Sequence, residues 1–155
     1  MEERILCLDV GDKRIGIAVS DALGLTAQPV ETYTRVGYGP DVRHIAGIAR
    51  EREAQWVLLG LPRNMDGSEG AQAGKVRAFA EQLTKEGMQI EFWDERLTTR
   101  SAHASLIEGG MRRDARKGVV DQVAAVLILQ GFLDAGGLKG PRWQNIETQR
   151  NEGNP

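Results

Sequence analysis

Three acidic positions break otherwise apolar stretches of this chain. Asp9 interrupts the run Ile5–Val10 and is followed at once by Gly11, Asp94 and Glu95 close the stretch Ile90–Trp93, and Asp121 lies within Val119–Leu129, where Gln122 is the other polar residue. A carboxylate inside an apolar segment costs several kcal/mol unless it is paired, hydrogen-bonded or metal-bound. Each has a plain explanation on its own: a turn-forming Asp before glycine, a solvated strand end paired with Arg96 or Arg100, and an Asp in the first helical turn favoured by the helix dipole. Together they say more. Two stand at the carboxyl ends of predicted strands, where open α/β sheets bind ligands, and the third opens a helix that must pack on that sheet. Strand alternation sends Asp94 and Glu95 to opposite faces, so at most one of them easily joins Asp9. Unit charges about 4 Å apart repel by roughly 4 kcal/mol at an effective dielectric near 20, so converging carboxylates take up protons or bind a cation. Oxygen donors without imidazole or thiolate suit Mg²⁺ or Mn²⁺ rather than zinc. Ions held this way serve phosphodiester cleavage, and hydrolysis of nucleic acid is the chemistry to which the three positions point.

Basic residues cluster beside the same positions. Lys13 and Arg14 follow Asp9, Arg96 follows Glu95, and Arg112, Arg113, Arg116 and Lys117 occupy a predicted polar loop, residues 108–117, just ahead of Asp121. Phosphate contacts from such cations supply affinity that is independent of sequence and falls with salt. The plainer account is a solvated charged loop. Asn64, in the segment Asn64-Met65-Asp66-Gly67, offers another substrate-facing turn, although Asn and Asp before Gly are ordinary turn residues. His44 and His103 sit on predicted helices without a second ligand nearby and are expected to be structural or surface residues. Trp56, Phe79, Phe92 and Trp93 are expected in the core rather than stacked on bases. The segment Gly70–Val76 lacks both the spacing and the Ser or Thr of a phosphate-binding P-loop.

The elements that must position these residues are legible from periodicity. Ile5–Val10 and Ile15–Val19, around a glycine turn, predict two paired strands, and Gln28–Arg35 predicts a third, more exposed one before the loop Gly37-Tyr38-Gly39-Pro40. Val42, Ile45, Ala46 and Ala49 recur at helical spacing behind Asp41 as N-cap, and Trp56–Leu59 follows as a short buried strand. Val76, Phe79, Ala80 and Leu83 repeat the helical pattern up to Gly87, and Ile90–Trp93 is strand-like. Helical patterns over Thr98–Ile107 and Val119–Leu133 complete the series. The order predicts an α/β three-layer domain: a mixed five-stranded sheet whose first three strands are antiparallel, continued by βα units, with helices on both faces.

The 155 residues allow one core of ordinary size, expected over 1–138, with 139–155 a polar, poorly ordered tail. With 20 Lys and Arg against 22 Asp and Glu, the net charge of −2 excludes binding of nucleic acid by bulk electrostatics alone and leaves the work to a local patch. The longest apolar stretch, Val123–Leu129, falls far short of the roughly 18 residues of a membrane span. The N-terminus is acidic where a signal peptide is basic, so the expected setting is the cytoplasm, without a membrane partner. Cys7 is the only cysteine, which excludes a disulfide framework and a cysteine-based zinc site.

Four motifs in this order carry a family resemblance: Leu8-Asp9-Val10-Gly11-Asp12-Lys13-Arg14-Ile15-Gly16, Gly60-Leu61-Pro62 with Asn64-Met65-Asp66-Gly67, Asp94-Glu95-Arg96-Leu97-Thr98-Thr99, and Asp121-Gln122-Val123-Ala124-Ala125. Over about residues 4–135 the chain resembles the YqgF (RuvX) family. The resemblance implies a ribonuclease H-like fold, similarity to Holliday-junction resolvases and a role as a nuclease maturing the 5′ end of pre-16S ribosomal RNA. It also implies that Asp9, Glu95 and Asp121 are the acidic catalytic and metal-binding positions, which selects Glu95 over Asp94. Structured RNA is then the expected partner, with branched DNA as the alternative; the first suits a monomer, whereas junction resolution needs a homodimer. Two other readings compete. One is a nucleic-acid-binding or ribosome-assembly factor without catalysis. The other is an actin-like ATPase, whose phosphate loop Asp9-Val10-Gly11 also resembles, although such enzymes close two domains around the nucleotide.

Overall fold

A computed structural model describes residues 4–94 and 113–139, with the backbone alone for 113–121 and Lys139. The predicted helix Thr98–Ile107 and the tail from 140 onward lie outside the described residues. Strands β1 (Arg4–Val10), β2 (Arg14–Ser20) and β3 (Ala27–Thr34) come first, followed by helix α1 (Tyr38–Glu51), strand β4 (Ala54–Leu61), helix α2 (Ala71–Lys85) and strand β5 (Gln89–Asp94). Helix α3 (Arg113–Asp134) and a short 3-10 turn (Gly137–Lys139) close the described chain.

The sheet has the order β3-β2-β1-β4-β5. β1 pairs antiparallel with β2 and β2 with β3, whereas β4 pairs parallel with β1 and β5 with β4. The parallel pairs need crossovers, which α1 and α2 supply. Helices then cover both faces, so the central strands read as nearly continuous apolar runs.

Alternation divides the core in two. Leu6, Leu8 and Val10 of β1, with Ile15, Ile17, Val57, Leu59 and Leu61, pack under α1 and α2 against Ile45, Phe79 and Leu83. Ile5, Cys7, Ala18, Leu58 and Trp93 face the other way and meet Ala125, Ile128, Leu129 and Phe132 of α3. Burial of each such Leu, Ile or Phe contributes about 1.5–3 kcal/mol. The expected core aromatics are there: Phe79 and Trp93 are buried, with Trp56 and Phe92 packed at the margins of the two clusters. Among the described residues no helix is long and apolar enough to cross a membrane.

Two boundaries differ from the sequence-based expectation. α1 starts at Tyr38, inside the expected loop, and Asp41 is not its N-cap; Gly37 holds that position without a side-chain hydrogen bond. Asp41 instead turns its carboxylate back from the first turn to accept the N–H groups of Val36 (2.9 Å) and Gly37 (3.3 Å). Pro40 is no obstacle there, because first-turn N–H groups have no partner within the helix. Within the described residues α3 already includes Arg113, so Arg113, Arg116 and Lys117 belong to a helix rather than to a loop. The run Arg113-Asp114-Ala115-Arg116-Lys117 is rich in helix formers.

Candidate functional site

Asp9 is the odd member of β1, partly buried in a strand whose other positions from Ile5 to Val10 are buried. By alternation it shares the α3 face with Ile5 and Cys7. Its partner on β2 is Gly16. On β4 the register Cys7↔Leu58, Leu8↔Leu59 continues to place Asp9 beside Gly60.

The same register decides between the two acidic residues after β5. Asp94 pairs with Leu61, a member of the α1/α2 core, while Trp93 pairs with Gly60 and belongs to the α3 cluster. Asp94 therefore stands on the face opposite Asp9. Glu95, the next residue, lies outside the described residues, as do Arg96 and Arg112.

Asp121 falls on the sheet-facing stripe of α3, one turn ahead of Ala125 and two ahead of Ile128. It lies more than two turns after Arg113, beyond the reach of the dipole effect that could explain an Asp at a helix start. The far end of the helix is fixed on the sheet by Gln130. The Gln130 side chain accepts the N–H of Ala27 (3.0 Å) and donates to the carbonyl of Leu25 (3.1 Å). Ala27 pairs with Ser20, whose hydroxyl accepts the Ile5 N–H at 2.8 Å, so Gln130 is level with the start of β1. α3 packs against β2, β3 and β1.

The turn that follows Asp9 closes with a 2.8 Å bond from the Gly11 N–H to the Arg14 carbonyl. A Cβ at Gly11 would stand 2.9 Å from that oxygen, so no other residue fits without moving the turn. Lys13 is exposed and Arg14 half-buried. Four consecutive residues of this segment are also held from outside it. Gln72 donates to the Val10 carbonyl (3.2 Å), Arg35 Nη1 to the Gly11 carbonyl (2.9 Å), Lys75 to the Asp12 carboxylate (3.1 Å), and the Arg35 N–H to the Lys13 carbonyl (2.9 Å). The Arg35 Nε bonds Asp41 at 3.0 Å, and the guanidinium lies 5.5 Å and 5.3 Å from the ring centroids of Tyr38 and Phe79. Burial pushes the Asp41 carboxyl up, but the Val36 N–H, Arg35, the Tyr33 hydroxyl and the Gly37 N–H outweigh it and hold the group below the usual carboxylate range. Tyr33 is raised by burial and by its bond to Asp41.

Asn64 stands just past the carboxyl end of β4, at the same edge of the sheet. Its side-chain amide donates to the Ser68 hydroxyl (3.0 Å) and its N–H to the Ser68 carbonyl (2.8 Å), so it builds the turn in which it sits. His44 is structural: its Nε2 lies 2.8 Å from Glu31, and its ring stacks on Tyr33 at 4.1 Å. The segment Gly70–Val76 forms the start of α2, with Lys75 bound to Asp12. Sequence reasoning missed Arg35, Gln72 and Lys75, whose partners in the segment after Asp9 are 22 to 63 positions distant.

The family model RuvX, described as Holliday junction resolvase, matches residues 3–135. A Clostridioides difficile (strain 630) protein described as a candidate pre-16S rRNA nuclease is 50% identical over 135 residues, 86% of this chain and 96% of its own. A Myxococcus xanthus (strain DK1622) protein of the same description is 50% identical over 133 residues, 85% of this chain and 88% of its own. Among solved structures, Thermus thermophilus RuvC in complex with a Holliday junction substrate is similar with a TM-score of 0.56 at 13% identity, covering 90% of this chain and 99% of that one. That likeness is one of fold, and it bears out the ribonuclease H-like plan of the sheet.

Proposed function

The chain belongs to the RuvX family, and on that premise we propose that it is a nuclease that hydrolyses phosphodiester bonds in 5′ processing of pre-16S rRNA. Asp9, Glu95 and Asp121 are the carboxylates assigned to hold divalent ions, Mg²⁺ or Mn²⁺. The observation that carries this reading is the place of Asp9, a carboxylate on the α3 face of an otherwise apolar strand, at the carboxyl edge and flanked by two glycines. Its hard oxygen donors, partly buried at this edge, fit such an ion. The place of Asp121 one turn ahead of Ala125 on α3 supports the assignment, and the position of Asp94 on the face opposite Asp9 favours Glu95, the choice the family resemblance implies. When bound, ions of this kind activate water and stabilise a leaving oxygen.

The chain's own contribution is placement. Lys13 and Arg14 present positive charge on the turn after Asp9, and Arg113, Arg116 and Lys117 do so on the opening turns of α3. With Arg96 and Arg112 they would grip phosphates on either side of the cleaved bond, recognising the shape of a structured strand more than its sequence. Asn64 adds a neutral donor or acceptor at the same edge. The reading sets the protein in the cytoplasm, with structured RNA as its partner and without need of a membrane.

A second reading, resolution of branched DNA, is favoured by the likeness of fold to RuvC. It requires two sites on symmetric strands and therefore a homodimer, whereas RNA trimming suits a monomer. The test incubates the intact protein with labelled pre-16S RNA and with a four-way DNA junction, with Mg²⁺ and with chelator, and maps the products. Metal-dependent cuts near the RNA 5′ end support the first reading, and paired symmetric cuts in the junction support the second. Salt-sensitive binding without cleavage of either substrate contradicts both and favours a binding factor.

A further inference from the structure

A β-hairpin turn of this length closes with its own Gly11-to-Arg14 bond, yet the segment after Asp9 is held from outside at Val10, Gly11, Asp12 and Lys13. Arg35 supplies two of those four bonds, one from its side chain and one from its backbone. It is itself fixed by Asp41, which is fully buried, and by the rings of Tyr38 and Phe79. A pair this desolvated is weak evidence of stabilisation, because desolvation offsets the attraction; geometric specificity is the better reason for such a pair. A role confined to the start of α1 would need only the bonds of Asp41 to Val36 and Gly37 and would leave the reach to Gly11 unexplained. Arg35 is also suited to the task, because its planar fork serves Asp41 through Nε and Gly11 through Nη1 at once.

We propose that Arg35 is a positioning residue of the site: it clamps the turn Gly11–Arg14 so that Asp9 and the cations Lys13 and Arg14 keep one arrangement toward the metal and the phosphate. This rests on the metal reading of Asp9. Outer groups that orient ligands commonly matter to metal affinity as well as to geometry. Lysine at position 35 retains a charge for Asp41 but cannot bond Asp41 and Gly11 together in the same way.

The test uses the full chain and the variants Arg35→Lys and Arg35→Met. Amide hydrogen exchange is read by nuclear magnetic resonance at Gly11 and at Leu8 in the sheet centre, and Mn²⁺ binding by electron paramagnetic resonance. Exchange at Gly11 is expected to rise about tenfold or more with Leu8 unchanged, as for local opening. The Mn²⁺ dissociation constant is expected to rise at least about threefold. Should Arg35→Met fail to fold, Arg35→Lys carries the comparison. Unchanged exchange at Gly11, exchange that rises only in step with Leu8, or unchanged Mn²⁺ affinity beside a loosened turn overturns the proposal. Failure of the unaltered protein to bind Mn²⁺ contradicts the metal reading instead, and Gly11 exchange then decides the clamp by itself.

Discussion

Replacing Asp41 by alanine should be among the most destabilising single changes outside the apolar core. The carboxylate is fully buried, and its Arg35 partner is only 15% exposed, so the substitution strands a guanidinium in a site that water barely enters. It also removes the acceptor of the Val36 and Gly37 N–H groups. Breaking one side of a buried pair costs about 3–5 kcal/mol, against a total of roughly 5–15 kcal/mol for an ordinary domain. At about 2–4 °C per kcal/mol for a chain of this size, the melting temperature should fall by roughly 10 °C. The pH dependence has a definite sign. Asp41 titrates below its ordinary value in the folded protein, so its contribution is present above the unfolded value of about 3.9 and is lost as the pH falls through the folded one. Urea unfolding followed by tryptophan fluorescence should show a gap between wild type and Asp41→Ala that is flat from neutral pH to about pH 5 and closes below about pH 4. A gap under about 1 kcal/mol at neutral pH, or one that widens in acid, would refute this account of the pair.

Asp9→Asn should lose cleavage at least about a hundredfold while its circular dichroism and melting temperature stay close to wild type; full activity in that variant would rule out the metal role. Gly11→Ala should cost about 1–3 kcal/mol by overcrowding, because its Cβ meets the backbone oxygen of Arg14 rather than a side chain that can swing away, and thermal unfolding measures this. Removing the charges of Lys13 and Arg14 together should reduce the logarithmic salt dependence of single-strand binding by about 0.7 for each phosphate that is no longer neutralised, with little effect on stability. Glu69→Gln, which weakens the partly exposed pair with Arg77, should change stability by less than about 1 kcal/mol in the same unfolding assay.

Elements with an uninterrupted hydrophobic period were legible before the fold was known. Val76, Phe79, Ala80 and Leu83 mark the buried stripe of α2, and all four are buried. The start of α1 was not legible, because Gly37-Tyr38-Gly39-Pro40 has the composition of a loop and the carboxylate that compensates comes from inside the helix. The helical state of Arg113–Gly118 was hidden in a run of basic residues with no apolar period. Within the site, alternation set the expectation that at most one of Asp94 and Glu95 easily joins Asp9, and the pairing of Asp94 with Leu61 says which face Asp94 takes. The clamp at Arg35 left no sequence signal, since its meaning lies in bonds to Gly11 and Lys13 that exist only after β3 pairs with β2 and brings them together.

Crystals of the full chain grown with Mn²⁺ and measured for anomalous scattering would test the central claim most directly. The account predicts a metal peak within about 2.5 Å of carboxylate oxygens from Asp9, Glu95 and Asp121, at the carboxyl edge on the α3 face of β1. Carboxylates found on separate sides of the sheet, or a metal bound elsewhere with Asp9 untouched, would contradict it.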